Sequence, residues 1–510
     1  MESIHLKTID PVSQDLLRSA AKQGIDLNFE RYQRQQPQDG FLRLGLSCPY
    51  GCMEGPCRID PFGRGANRGL CGLGRDGMVA ASLLRLSLLG VLEKMSDRAE
   101  GTISQKSWRS LLAEIGGPVL KCLGHNPFSL REIDLSASML QRPETSPENL
   151  VNQALRLGVL AVLLSYEGKT SGEGPKSLIC RAGYGLLAEG EVSIGIVGKP
   201  AHQLILSLEK ETARLTGPSA ILLSLGDWIP MGRSFLPLAC TSGEAELLLS
   251  SGGIHLVLAG PKTDVSLLEL CRELKIPLVM ANEGSKPSEI LRRARKQHGA
   301  QSQKKFVADP SQVGEGKVSM AAEDLRSSLE KGRSVKVAFV VGADTPQLPM
   351  GWLPVDVATT LVGEGYRVVS WGDAALWTVK SGLASGERKN PVVVFDEQQG
   401  PVMALQAFGA SRDLNTLRGI CFTGLKTCGD LAMVLGLASL GFRVCVATPL
   451  PLWGSEEVRN VLTEKLAMAG GSLAHYDHPA EPREILEWFR TKGHRARSRA
   501  HREKTVSRKG

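Results

Sequence analysis

The sequence lacks any apolar run long enough to cross a bilayer, and it is poor in aromatic residues. Phe, Trp and Tyr together make up 5% of its 510 residues, and no apolar run reaches the ~18 residues that a membrane span requires. The opening Met-Glu-Ser-Ile-His-Leu-Lys also lacks the basic start and apolar core of a signal peptide. We therefore expect a cytoplasmic protein without membrane insertion.

Outside the C-terminal end, the sequence also lacks an excess of either positive or negative charge. The formal net charge is +8, but residues 490–510 contain nine of the 61 basic residues and one of the 53 acidic ones. The remaining body is balanced in charge, and nothing in it resembles a nucleic-acid-binding module. We interpret 490–510 as a basic disordered tail. A tail that contacts nucleic acid or an acidic partner is the alternative.

Cysteine is present, and its arrangement is unusual. The chain has eleven cysteines, which in a reducing compartment indicate metal binding or core packing. Four of them lie in one stretch rich in Gly and Pro: Cys48, Cys52, Cys57 and Cys71. Three, four and thirteen residues separate successive cysteines, whereas zinc sites favour two compact pairs. The spacing favours one 4Fe–4S cluster held by these four thiolates; unlinked buried thiols are the alternative.

The residues around these cysteines resemble a known family. Gly55-Pro-Cys-Arg-Ile59, the Asp60-Pro-Phe-Gly63 that follows, and Gly69-Leu-Cys-Gly72 are similar to the cluster signature of the anaerobic nickel-iron carbon monoxide dehydrogenases, and more distantly to the hybrid-cluster proteins. The family usually has two residues between its first two cysteines, where this chain has three. The family also has upstream cysteines that share a further cluster across a dimer axis. No cysteine precedes Cys48 here, so that shared cluster should be missing. Whether the chain forms a homodimer is left open by the sequence.

The pattern of apolar segments changes at about residue 190, where short apolar strands begin to alternate with helices. Runs of this kind are typical of parallel, doubly wound sheets. We predict an α/β protein, and the resemblance implies the same architecture. Its predicted parts are a helical cluster domain over 1–189 with the cluster loop at 48–71, a Rossmann-like domain over 190–300, a linker over 301–333, a second Rossmann-like domain over 334–489, and the tail over 490–510.

The family's catalytic nickel–iron–sulfur cluster is bound by one histidine and several cysteines at strand ends of both Rossmann-like domains. The matching turns here have Ala343 and Asp373 in cysteine positions, and no cysteine in 396–400 or 258–263. The matching histidine is absent from 236–242. Because an iron–sulfide cage needs soft thiolate ligands, the comparison implies that the catalytic cluster is not built.

Other residues leave alternatives open at the vacated site. Three cysteines near strand ends could form a replacement metal site: Cys240, Cys421 and Cys428. Four acidic residues could present carboxylates to a harder ion or a polar substrate, or could be polar loop ends only: Asp344, Asp373, Asp396 and Glu397.

Three functions are compatible with this sequence. The favoured one is an iron–sulfur protein, related to carbon monoxide dehydrogenase, that relays electrons to a redox partner or within a larger redox complex. The second is an oxidoreductase with a different metal or substrate in the vacated cavity. The third is a structural pseudoenzyme subunit whose cluster stabilises the fold. The sequence does not decide whether the protein is an enzyme, nor does it identify the partner.

Overall fold

The computed structural model describes residues 7–96, 123, 130–141, 146–167, 177–214, 217–281, 284–300, 306, 309–320, 336–384, 391–397, 400–408 and 417–491. The predicted tail therefore lies outside the described residues, except for its first two positions. Arg490 is the last residue of the final helix, where it pairs with Glu364. No described helix combines the length and apolar character needed to cross a membrane.

The described helices lie mainly before and between the strands. They are α1 (Pro11–Lys22), α2 (Asn28–Leu44), α3 (Arg75–Ser96), α4 (Arg131–Gln141), α5 (Pro147–Glu167), a 3-10 turn (Tyr184–Glu189), α6 (His202–Arg214), α7 (Ala245–Ser250), α8 (Val265–Glu273), α9 (Pro287–Ala300), α10 (Trp352–Gly363), α11 (Asp373–Lys380), α12 (Gly400–Phe408), α13 (Cys428–Ser439), α14 (Glu456–Met468) and α15 (Pro482–Arg490).

The strands are short and mostly buried. They are β1 (Ser177–Ala182), β2 (Val192–Val197), β3 (Ala220–Leu225), β4 (Pro230–Met231), β5 (Ser234–Phe235), β6 (Leu238–Cys240), β7 (Leu256–Ala259), β8 (Leu278–Met280), β9 (Gly314–Ser319), β10 (Lys336–Val341), β11 (Tyr366–Ser370), β12 (Val392–Val394), β13 (Leu417–Phe422), β14 (Arg443–Val446) and β15 (Ser472–His475). The predicted α/β class is confirmed.

All of these strands belong to one continuous sheet. Its order is β15-β14-β13-β10-β11-β12-β9-β1-β6-β3-β2-β7-β8, with β5 also paired to β1 and β4 paired to β5. The pairs on either side of the centre are parallel, as the apolar runs predicted. At the centre, β1 and β9 are antiparallel, with Ser177 opposite Ser319 and Ala182 opposite Gly314. This pair joins the two parallel halves into one sheet.

The segment predicted as a linker contains a strand that the sequence pattern missed. β9 has the sequence Gly-Glu-Gly-Lys-Val-Ser and pairs with β12 as well as β1. Its glycine and charged residues are untypical of a buried strand. Gly316 is nevertheless required, because a Cβ there would lie 2.8 Å from the carbonyl oxygen of Ala384.

α3 and α5 pack on the C-terminal half of the sheet, whereas α1 packs against α7 in the other half. α3, α5 and α13 form one apolar layer that includes Leu83, Leu155 and Leu435. Gly158 and Gly436 lie where α5 and α13 cross, and a Cβ on Gly158 would lie 2.6 Å from the backbone nitrogen of Gly436. This close packing fixes α3, which begins directly after the cysteine loop.

Candidate functional site

The cysteine loop is anchored by backbone pairing at its base. The N–H of Cys48 donates to the carbonyl of Cys57 at 2.9 Å, and the N–H of Ile59 donates to the carbonyl of Leu46 at 3.0 Å. Leu46 and Ile59 are fully buried in the layer of α3, α5 and α13. The pairing therefore brings two of the four predicted ligands next to each other on a fixed base.

A glycine separates two of the thiols. A Cβ on Gly69 would lie 3.6 Å from the Sγ of Cys57 and 3.7 Å from the Sγ of Cys71, so both sulfur atoms face the space beside this residue. The backbone N–H of Leu70 also donates to the Cys57 Sγ at 3.4 Å. Backbone donors to cysteine sulfur are a common way in which proteins tune iron–sulfur clusters.

A single side chain holds the outer turn of the loop. The carboxylate of Asp60 accepts hydrogen bonds from backbone N–H groups in the turn 62–65, and these bonds, Phe62 first, lower the pKa of Asp60. The Arg75 guanidinium donates to the carbonyls of Asp60 and Pro61, and also to Gly454 beyond the loop. The turn is thereby tied to the start of α3.

The donor set fits an iron–sulfur cluster in type and number. Cys52 and Cys71 are exposed, and Cys48 and Cys57 are half-buried. Within the described parts of the chain, no three His, Cys, Asp or Glu side chains converge closely enough to hold one metal ion. A cubane spreads its four thiolates over four iron atoms, so its ligands lie farther apart than those of a single zinc ion. Ligation by all four cysteines stays a prediction.

The second feature of interest is a cavity of about 500 Å³ at the carboxyl ends of the parallel strands. Both halves of the sheet contribute to its wall. Residues just after six strands line it: Gly198, Asp227, Lys262, Gly342, Asp373 and Lys426. Ligands of α/β proteins collect at such strand ends, and this is the region where the resemblance implied the catalytic cluster.

Thiolate and imidazole ligands are missing from the described part of the cavity wall, although the thioether of Met433 lies in it. Among the described residues that line it, none is cysteine or histidine. Ala343 and Asp373 lie in the wall, as does Glu397, while Asp396 is buried beside it. Four lysines also line the cavity: Lys94, Lys199, Lys262 and Lys426. The sequence interpretation missed these lysines; for Lys199 and Lys262, the available signal was their position just after a buried strand.

Asp373, which is buried, and Asp344, which is half-buried, are both occupied by hydrogen bonds within the protein. Asp373 accepts from the N–H of Ser242 at 2.9 Å, from its hydroxyl at 2.6 Å, and from the N–H of Asp344 at 2.9 Å. Asp344 accepts from the Thr241 hydroxyl and from Nε1 of Trp377. Burial, with the Asp373 charge adding to it, raises the pKa of Asp344 to about 8, and burial also raises the pKa of Asp373. These carboxylates connect the two halves of the sheet.

The three cysteines considered for a replacement metal site are not brought together. Cys240 is buried in the core beneath α7, and Cys421 is buried in a separate core, opposite Cys445 on β14. Cys428 is half-buried at the start of α13. Burial raises the pKa of both the Cys240 and the Cys421 thiol, so neither is available as a thiolate.

The sequence is similar to curated proteins over one segment. No protein-family model matches the chain. A segment of 97 residues is 45% identical to carbon monoxide dehydrogenase 1 of Methanosarcina mazei, covering 19% of this chain and 15% of that protein. A segment of 83 residues is 46% identical to carbon monoxide dehydrogenase 1 of Carboxydothermus hydrogenoformans, covering 16% of this chain and 13% of that protein. The matched segments thus span less than a fifth of these relatives.

The fold is similar over nearly the whole chain. Carbon monoxide dehydrogenase IV from Carboxydothermus hydrogenoformans superposes with a TM-score of 0.77 at 20% identity, over 95% of this chain and 98% of that one. A nickel-free carbon monoxide dehydrogenase from Thermococcus sp. AM4 gives 0.76 at 17% identity, over 95% and 96%. The chain therefore has the fold of these carbon monoxide dehydrogenases, and a segment of its sequence is similar to theirs.

Proposed function

We propose that this protein holds one 4Fe–4S cluster on its cysteine loop, lacks the nickel–iron–sulfur catalytic cluster, and relays electrons for a redox partner. The observation that carries the proposal is the wall of the cavity at the strand ends, whose described residues include no cysteine or histidine. Cys48, Cys52, Cys57 and Cys71 would hold the cluster, which would supply reversible one-electron transfer.

The chemistry of the cavity argues against a nickel–iron–sulfur cage. Such a cage needs thiolate and imidazole donors, whereas the wall offers carboxylates and ammonium groups. Asp373, in a position that the resemblance assigns to a cysteine, has its oxygen atoms committed to Ser242 and Asp344. A metal at Asp373 would have to displace hydrogen bonds that join the two halves of the sheet.

The position of the loop supports an electron relay. Cys52 and Cys71 are exposed, so a cluster bound there would lie at the protein surface, where a second redox protein can approach it. A cluster that served the fold alone would not need this exposure. The half-buried Cys48 and Cys57 connect the same cluster to the fixed base of the loop.

One observation favours a second candidate function. The cavity of about 500 Å³ is within the size range of small-molecule sites, and its four lysines could orient a polar substrate. An oxidoreductase that uses this cavity with a different cofactor is therefore the alternative.

The decisive assay is carbon monoxide oxidation with a viologen acceptor, after anaerobic reconstitution with iron, sulfide and nickel. We expect no nickel-dependent turnover, while a catalytically active family member assayed in parallel oxidises carbon monoxide. We also expect the cluster to be reduced and reoxidised reversibly, which electron paramagnetic resonance detects. Nickel-dependent turnover would contradict the loss of the catalyst. A cluster that cannot be reduced would contradict the relay and favour the structural role.

A further inference from the structure

We propose that the cavity at the carboxyl ends of the strands binds a small organic anion that carries two or more carboxylate or phosphate groups. The inference rests on the proposed loss of the catalytic cluster, because a metal cluster would occupy the same space. We call the four lysines of the wall the cavity lysines: Lys94, Lys199, Lys262 and Lys426.

The cavity lysines come from separate parts of the chain. Lys94 lies near the end of α3, while Lys199, Lys262 and Lys426 follow β2, β7 and β13. Lys94 and Lys199 are half-buried, and the other two are exposed. Burial lowers the pKa of Lys262; the charge of Glu93 opposes this shift, and the charge of Lys94 adds to it. The two halves of the sheet thus each bring positive charge to one cavity.

Much of this positive charge is not neutralised by ion pairs. Among the residues that the structure describes, neither Lys94 nor Lys199 has a carboxylate oxygen within 4.0 Å of its Nζ. The Nζ of Lys426 lies 3.6 Å from Oδ2 of Asp264, and both side chains are more than a third exposed. Because water weakens such an exposed pair, Lys426 remains able to bind an anion.

Most acids of the described wall accept hydrogen bonds from the backbone. Asp227 accepts the N–H of Gly198 at 2.6 Å, and Asp430 accepts the N–H of Lys426 at 2.8 Å. Burial raises the pKa of both acids, which lowers the charged fraction of each at a given pH. The sixth acid of this wall, Glu397, is exposed, so solvent screens its charge. The other three also accept backbone N–H groups: Glu93, Asp264 and Asp373.

The volume and the apolar part of the wall favour an organic ligand. A volume of about 500 Å³ is within the range of small-molecule sites, and a single inorganic ion would fill little of it. An anion with two separated charged groups can also pair with lysines of both halves at once. Buried apolar side chains complete the wall and can contact the body of such a ligand: Leu164, Val197, Leu225, Leu267, Trp371 and Phe422.

Lys199 has a counterpart that provides a matched control. Its φ is 55°, and the φ of Lys275 is 57°, so both lysines adopt the left-handed conformation that residues other than glycine rarely adopt. Lys275 is exposed just after α8 and does not line the cavity. Glutamine at either position therefore has a similar effect on the backbone, whereas Lys199 alone of the two borders the cavity.

The test is isothermal titration calorimetry on the reconstituted full-length protein at about 150 mM salt. The probes are glutarate, which has two carboxylates, and fructose 1,6-bisphosphate, which has two phosphates. Dimethyl glutarate is the uncharged analogue. The test variant is K199Q/K262Q, and the control is K275Q/K210Q, which removes the same charge at exposed positions outside the cavity.

We expect one or both probes to bind with a Kd of about 1 mM or tighter, and dimethyl glutarate not to bind. The probe that binds more tightly identifies the anionic group. K199Q/K262Q should raise the Kd at least about tenfold, because it removes two charged hydrogen-bond donors. The control should stay within about twofold of wild type.

A second measurement needs no variant. Acetylation of lysines by acetic anhydride, followed by mass spectrometry of peptides, reports how accessible each amine is. A saturating probe should slow the labelling of Lys94, Lys199 and Lys262 and leave that of Lys275 unchanged. This comparison decides the proposal if K199Q/K262Q fails to fold.

Three results would overturn the anion site while leaving the single cluster and the relay intact: no binding of either probe, the same Kd in both double variants, or labelling of Lys199 that a saturating probe does not change. Stoichiometric nickel in the reconstituted protein is a different result, because it would overturn the proposed function and the anion site together.

Discussion

The carboxylate of Asp373 accepts both the backbone N–H and the hydroxyl of Ser242, at 2.9 and 2.6 Å. Asp373 begins α11 after β11, whereas Ser242 follows β6 in the other half of the sheet. The acid therefore joins two strand ends whose residues are 131 positions apart in the chain. In the family resemblance this position belongs to a metal ligand; here it serves the contact between the two halves.

This contact predicts a large effect of Asp373→Ala on stability. The substitution leaves the half-buried donors of Ser242 and Asp344 without their acceptor, so we expect a loss of about 1–3 kcal/mol in the free energy of unfolding. Urea denaturation followed by circular dichroism measures it. Asp356→Ala, at an exposed position on α10, is the control and should change stability by less than about 0.5 kcal/mol. Equal stability of the two variants would contradict the structural role of Asp373.

A second prediction concerns pH. The pKa of Asp344 is about 8 in the folded protein, against an ordinary value of 3.8. Between these values the folded state binds more protons than the unfolded state, so the Asp344 contribution to stability is lost as pH rises towards 8. Titration of this one group can lower the free energy of unfolding by at most about 1.4 kcal/mol per pH unit.

The measurement compares unfolding free energies of wild type and Asp344→Asn from pH 5 to pH 8. Because the amide does not titrate in this range, the wild type should lose stability relative to the variant as pH rises. Parallel curves would show that Asp344 has an ordinary pKa in the folded state.

A third prediction concerns the buried cation that connects α1 to the sheet. The Nζ of Lys380 lies 2.6 Å from Oε1 of Glu244 and 3.0 Å from Oδ2 of Asp10. Lys380→Met leaves two acids without their cation, and we expect a loss of about 3–5 kcal/mol. Lys465→Met is the matched control, because its partner Glu148 is 62% exposed, and it should cost at most about 1 kcal/mol. A similar, small effect in both variants would refute the importance of the buried pair.

The strands were largely predictable because continuous apolar runs mark buried parallel strands. β10, with the sequence Lys-Val-Ala-Phe-Val-Val, is such a run. β9 was not predictable, because its Gly, Glu and Lys residues give no apolar run; its place is determined by pairing with β1 and β12. Local pattern cannot reveal a strand whose burial depends on its neighbours.

The residues of the candidate site were likewise predictable only in part. Cys48, Cys52, Cys57 and Cys71 are close in sequence, so their spacing was readable as a ligand set. The contact of Asp373 with Ser242 was not, because it depends on which strand ends meet across the sheet. The sequence left the strand-end acids open as ligands or loop ends, and the structure favours loop ends for Asp344 and Asp373.

A fourth prediction concerns ligation. Cys57→Ser and Cys71→Ser each remove a thiolate beside Gly69, so we expect most iron and visible absorbance to be lost, together with stability of the loop and α3. Cys428→Ser, which changes a half-buried cysteine outside the loop, is the control and should keep its iron. Full cluster occupancy in both loop variants would show that other residues hold the cluster.

The most direct test of the account is the metal content of the anaerobically purified and reconstituted full-length protein, measured per chain by inductively coupled plasma mass spectrometry. One cubane on four thiolates predicts about four iron atoms per chain and no bound nickel. Stoichiometric nickel, or an iron content well above four, would mean that the cavity at the strand ends holds a metal cluster after all.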